Sequence, residues 1–355
     1  MRSTHPSAGI DHAAGRRSVL TAAGREALPE RTRLMWAAAV VLTLHAAAAS
    51  LLVAGIGGAA GVVTVGAVVL AYLAGLKHHA DADHLTGIAG ATRKFVAEGR
   101  SPVSVGLAFS LGHSSVVLVT AGAVIAGVGS VRGLLTGEST AAAALGVTGG
   151  LVAGTFLTLI GVFNLVVLTR ILAARRGARH TPTVGGTAMG RLMARPLSRV
   201  RGPRHVYLVG FLFGLGFDTA TQIGLLVLTA TSAALGASVV ALLALPLAFA
   251  AGMTLGDTVV GYVLMRTYRR AGSVAGSRVD AVVTGMSVAS ALTLGVIILG
   301  ATLHEAGWLT GPVTTALAGL DLDAAGWVIL GVVAATGLAV AALPAGRGPG
   351  VAVRG

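Results

Sequence analysis

Runs of about 20 mostly apolar residues recur along the chain, each long enough at 1.5 Å per residue to cross a hydrocarbon core about 30 Å thick as a helix. Eight can be drawn, at approximately 34–54, 61–91, 103–128, 144–170, 206–231, 238–265, 280–303 and 325–344. Only 11% of the 355 residues are charged and 54% are apolar, whereas soluble domains carry about 25% charged residues. A water-soluble globular protein is thereby excluded. The fold class expected is an all-α membrane protein of about eight transmembrane helices. The expected parts are an N-terminal tail (1–33), helices 1–4 (34–170), a basic loop (171–205), helices 5–8 (206–344) and a C-terminal tail (345–355).

Lys and Arg outnumber Asp and Glu by 26 to 13, an excess that in a soluble protein would point to nucleic acid. Here its placement gives it another meaning. Arg31 and Arg33 precede the first run, Arg93, Lys94 and Arg100 follow the second, and the central loop carries Arg175, Arg176, Arg199, Arg201 and Arg204 among others. Arg266, Arg269, Arg270 and Arg278 follow the sixth run. All of these fall on one face of an eight-span bundle, and the opposite face keeps Arg132 beside Glu138, Glu305, Asp321 and Asp323. The positive-inside rule then makes both termini cytoplasmic. The charge reports orientation in a cytoplasmic membrane, with lipid as a partner and no nucleic acid.

Cysteine is absent, which removes disulfides, thiolate metal sites and iron–sulfur clusters. Lysine occurs only at Lys77 and Lys94, neither in a phosphate-binding loop motif.

Ionisable side chains at membrane depth are costly and mark function. The second run holds six in eight residues, Lys77-His78-His79-Ala80-Asp81-Ala82-Asp83-His84. On one continuous helix, His78, Asp81 and His84 would share a face, with His79 and Asp83 paired on another. Counting back from Arg93, His84 would lie about 13 Å and His78 about 22 Å into the membrane. Imidazole and carboxylate at such spacing suit a borderline divalent cation: neutral nitrogens for Ni, Co, Cu or Zn, and anionic oxygen to offset charge. The competing reading is an internal His–Asp salt-bridge network. Further polar groups stand in other runs: His45 in the first, Gly112-His113-Ser114-Ser115 in the third, Asp218 and Gln222 in the fifth, and Asp257-Thr258 in the sixth. Taken alone, His113 reads as a hydrogen-bonded packing histidine more readily than as a ligand, and His45 reads equally as either. Asn164 is the only asparagine and Gln222 the only glutamine.

These residues resemble the nickel/cobalt transporters of prokaryotes and fungi, eight-span permeases with a histidine–aspartate motif in the second span. The pattern H-x4-D-H fits His78, Asp83 and His84, and its fuller form includes Asp81 and Ala82. Phe109-Ser110-Leu111-Gly112-His113-Ser114 is similar to the third-span motif. Leu215-Gly216-Phe217-Asp218-Thr219-Ala220-Thr221 and the stretch from Ala250 to Thr258 are similar to those of the fifth and sixth. The chain departs from the pattern at Gln222, where the family usually has Glu, and at Val260, where it has Asp. Ala89-Gly90 replaces Asp-Asn, and His79 replaces Ala. An added nitrogen donor at His79 would favour metals higher in the Irving–Williams order.

The resemblance implies a permease for Ni2+ or Co2+, taking the divalent cation up across the cytoplasmic membrane, with no enzymatic reaction and no resident cofactor. The metal residues expected are His78, Asp81, Asp83 and His84, joined by His79, with His113, Asp218 and Asp257 as alternate contacts. Two alternatives stand beside this reading: a protein that senses or exports metal, and a membrane haem or di-iron protein using the same histidines.

Overall fold

The structure, a computed structural model, describes residues 28–56, 61–127, 140–176, 199–215, 220–273, 278–320 and 322–342. Every regular element among them is helical. In chain order these are α1 (Glu30–Gly55), α2 (Gly61–His78), α3 (Ala82–Ala97), α4 (Val105–Ile125), α5 (Thr140–Arg175) and α6 (Pro203–Gly214). They continue with α7 (Ala220–Ala234), α8 (Val239–Ser273), α9 (Arg278–Glu305), α10 (Pro312–Ala318) and α11 (Asp323–Ala342).

Five helices, α1, α4, α5, α8 and α9, contain stretches long and apolar enough to cross a membrane. Shorter apolar stretches lie in α2, α7 and α11, at Thr64–His78, Gln222–Ala233 and Gly326–Thr336. Exposed Leu42, Val53, Leu70, Val119, Val259 and Val296 lie on these helices, the outward face a bilayer would cover.

Two of the eight apolar runs depart from continuous helices. The run at 61–91 is α2 followed by α3, broken at residues 79–81. The run at 206–231 is split between α6 and α7, with residues 216–219 outside the described set. An unbroken helix at 77–84 would carry ionisable side chains round its whole circumference, leaving no face for apolar neighbours. The break resolves this conflict by turning the chain. Ala80 N–H donates to the Lys77 carbonyl at 2.9 Å and Asp81 N–H to that of His78 at 3.0 Å, a three-residue spacing that tightens the end of α2. Asp81 is then extended (φ −62°, ψ 141°) and serves as N-cap of α3.

The long α8 is the central post, packing on α1, α2, α4 and α3, while α5 and α9 form a second pair that closes on α3. Close approach is bought with glycine at two places near the third-span motif. A Cβ on Gly112 would collide with the Tyr207 carbonyl of α6, and one on Gly106 with the Asp257 carbonyl of α8. Ser110 Oγ donates to Thr254 Oγ1 at 3.0 Å, tying α4 to α8 between those contacts.

Arg93 and Lys94, expected in a connection, are instead buried in α3 at 4% and 3% exposure. Burial is possible because both are partnered. Arg93 Nη2 donates to Asp280 Oδ1 at 2.9 Å across to α9, and its guanidinium lies 5.5 Å from the Tyr268 ring centre. Lys94 Nζ donates to Glu98 at 2.6 Å and to the Val200 carbonyl at 3.0 Å.

Candidate metal centre

The break between α2 and α3 places His78 at the end of one helix and His84 in the first turn of the next, so that both face α4. His113, in the middle of α4, completes a cluster of three buried imidazoles whose potential ligand atoms lie within 4.8 Å of one another. The ring centres of His78 and His84 are 4.6 Å apart, those of His78 and His113 4.9 Å, and those of His84 and His113 4.5 Å. Phe109 of α4 and Phe249 of α8 wall the cluster, 5.0 Å from the His84 ring and 5.4 Å from that of His78.

Two carboxylates attend the imidazoles. Asp81 is an N-cap by position, yet its side chain makes no capping bond. Its Oδ2 lies 2.6 Å from His78 Nδ1 instead. A carboxylate only accepts, so that contact places the His78 proton on Nδ1 and leaves the Nε2 lone pair directed into the cluster. Asp257 of α8 is fully buried, with Oδ2 3.6 Å from His84 Nδ1. Its two oxygens, both ring nitrogens of His84 and Nδ1 of His113 lack hydrogen-bond partners among the described residues. Buried polar groups are nearly always paired. Orphaned imidazole nitrogens and carboxylate oxygens in one locality fit a cation.

The geometry is consistent with the same conclusion. Two imidazole nitrogens sharing an ion at about 2.0–2.1 Å stand about 2.9 Å apart at a right angle and about 3.3 Å at the tetrahedral angle. His78 Nε2 and His113 Nε2 are 3.0 Å apart. Haem ligands on opposite sides of an iron would be about 4 Å apart, with a macrocycle between them.

The remaining expected residues separate. Asp83 is half-buried and accepts from the His84 backbone N–H at 2.9 Å, a first-turn position that suits a carboxylate at a helix N-terminus. It stands outside the three-imidazole cluster. So does His79, whose ring occupies the space beside Gly256 of α8 and whose Nδ1 is buried without a partner. The expected pairing of His79 with Asp83 required a continuous helix, and the break removes it. Asp218 lies outside the described residues. His45 packs on Tyr72, with Nε2 3.3 Å from its hydroxyl and Nδ1 2.8 Å from the Val41 carbonyl. His113 is the member that spacing could not place at the centre, because 35 residues separate it from His78.

Apolar helices enclosing a buried imidazole cluster define a multi-pass membrane protein built around a polar centre. The NicO family model, described as high-affinity nickel-transport protein, matches residues 64–343, and the chain belongs to that family. It is 41% identical to the nickel transporter NicT of Mycobacterium tuberculosis over 77% of this chain and 76% of that protein. It is 36% identical to the nickel transporter NixA of Staphylococcus aureus over 84% and 90%. The cobalt transport protein NhlF of Rhodococcus rhodochrous is 38% identical over 67% and 71%. No solved structure matches significantly. The family is one of transporters, which sets enzymatic readings aside.

Proposed function

We propose that the chain is an eight-span permease that carries Ni2+ or Co2+ into the cell across the cytoplasmic membrane, with both termini cytoplasmic. The observation that carries this reading is the convergence of His78, His84 and His113 at the break between α2 and α3, with Asp81 and Asp257 beside them. In this account the dehydrated ion passes between the three imidazoles. Asp81 fixes the His78 tautomer, and Asp257 offsets charge from the α8 side. Five long and three shorter apolar stretches support eight spans, and relatives named for nickel and for cobalt support both cargoes.

Imidazole and carboxylate without thiolate suit a transported ion, since soft thiolates would retain it. The membrane potential supplies the drive: a divalent cation moving inward gains about 4.6 kcal/mol per 100 mV. Uptake of labelled nickel and cobalt into cells, with and without a collapsed potential, tests the reading. Time-dependent accumulation that falls on collapse is expected; metal binding without accumulation would refute transport.

A further inference from the structure

The imidazole cluster is sealed. The side chains of His78, His84 and Asp257 have no exposed surface and His113 is 3% exposed, whereas the Asp81 side chain, at the break between α2 and α3, keeps 12%. An ion can reach or leave the cluster only if an element packed around it moves. On one side such movement is opposed: Phe109 of α4 and Phe249 of α8 wall the rings, and the two helices are joined by the Gly106 contact and the Ser110–Thr254 hydrogen bond.

The last helix meets the centre differently. Gly326, in the first turn of α11, rests directly on the break, where a Cβ would collide with the Ala80 carbonyl and stand 3.0 Å from the Ala82 nitrogen. Farther along, a cavity of about 280 Å³ lies between α11 and its neighbours, lined by Ala89 of α3, Tyr268 of α8, Met286 and Ser287 of α9, and Val328 and Val332 of α11. Val328 and Val332 are exposed, so the cavity opens toward the face a bilayer would cover. Protein interiors are close-packed and hold few voids of this size. The void gives α11 room to move.

We propose that α11 is the movable cover of the metal centre. When it tilts, its later turns move into the cavity and its first turn lifts Gly326 from Ala80, opening a path past Asp81 to His78 and His84. Alternating access in transporters is largely such rigid-body rocking of one element about a fixed site. With a cytoplasmic C-terminus the first turn of α11 faces outward, so the path is the outer entrance. Its side and its cargo rest on the reading given under Proposed function.

The test fills the cavity from its two walls with Ala89→Leu on α3 and Val332→Phe on α11. Each should lower the maximal rate of nickel uptake at least about five-fold at matched membrane abundance, as expected when a cover sets the rate. Purified, each should bind nickel within about two-fold of the parent, because the three imidazoles are untouched. A void with only a packing role would change melting and leave uptake per folded protein alone. Ala80→Cys, in this otherwise cysteine-free chain, reads the entrance itself. A small impermeant thiol reagent added outside the cell should label it, about five-fold more slowly once Ala89→Leu is added. Parental maximal rates in both filled variants, or labelling unaffected by filling, would overturn the cover, and labelling from the cytoplasm alone would overturn the outer entrance. A parent that binds nickel yet accumulates none would instead refute the transport reading, with the labelling still deciding the cover.

Discussion

The Nε2 atoms of His78 and His113 stand 3.0 Å apart, one at the end of α2 and the other in the middle of α4. Without an ion, one imidazole must donate to the other. With an ion between them, both lone pairs turn to the metal. The pair thus joins two helices through a contact that a passing cation would remake.

His113 should therefore matter as much as either histidine of the second apolar run. At sub-saturating nickel, His113→Ala is expected to lower uptake at least about ten-fold, as His78→Ala and His84→Ala do, the loss of roughly 1.4 kcal/mol or more of site affinity. Initial uptake rates at matched membrane abundance measure this. Near-parental uptake by His113→Ala would confine the site to the α2–α3 break.

In the proposed site Asp81 acts through His78, because its Oδ2 lies 2.6 Å from Nδ1. Removal of such a carboxylate partner typically costs 10–100-fold in metal affinity. Asp81→Ala should raise the half-saturating nickel concentration by about that factor while leaving the maximal rate largely intact, and Asp81→Glu should recover part of the loss. A fall in maximal rate alone would place Asp81 elsewhere in the cycle.

The glycine of the third-span motif is a packing requirement. Gly112→Val would drive side-chain atoms into the Tyr207 carbonyl of α6, whereas Gly122, farther along α4, has open space around it. Thermal unfolding in detergent should show Gly112→Val destabilised by about 1–3 kcal/mol or more, with Gly122→Ala close to the parent. Equal melting of the two would contradict the helix contact.

The Arg93–Asp280 pair is buried at 4% and 6% exposure. Removing one partner strands a charge, so Asp280→Ala should cost about 3–5 kcal/mol, while replacing both as Arg93→Met with Asp280→Leu should recover most of it. Melting of the single and double variants tests this. A double variant no better than the single would show that the pair's role is not mutual compensation.

The helical class and its apolar stretches were legible because membrane helices declare themselves by length and hydropathy, and α1, α4, α5, α8 and α9 overlap five of the expected runs, four of them extending beyond the expected bounds. The break at 79–81 was not. Apolar sequence resumes on either side of it, so the run reads as one span, and the signal against a continuous helix was the crowding of ionisable residues between Lys77 and His84. Because of that break, His78 and His84 converge from two different helices instead of along one helix face. Arg93 was misplaced for a related reason. An arginine near the end of an apolar run reads as a boundary, and its partner Asp280 lies 187 residues away. His84 and Asp257 were each visible as intramembrane groups, but their approach to 3.6 Å depends on the packing of α3 against α8.

X-ray absorption on the nickel-loaded purified protein tests the central claim most directly. The parent should show imidazole nitrogens at about 2.0–2.1 Å, with one imidazole fewer in each of His78→Ala, His84→Ala and His113→Ala. A shell of oxygen ligands alone in the parent, or a nitrogen count unchanged by all three substitutions, would contradict a metal path through these histidines.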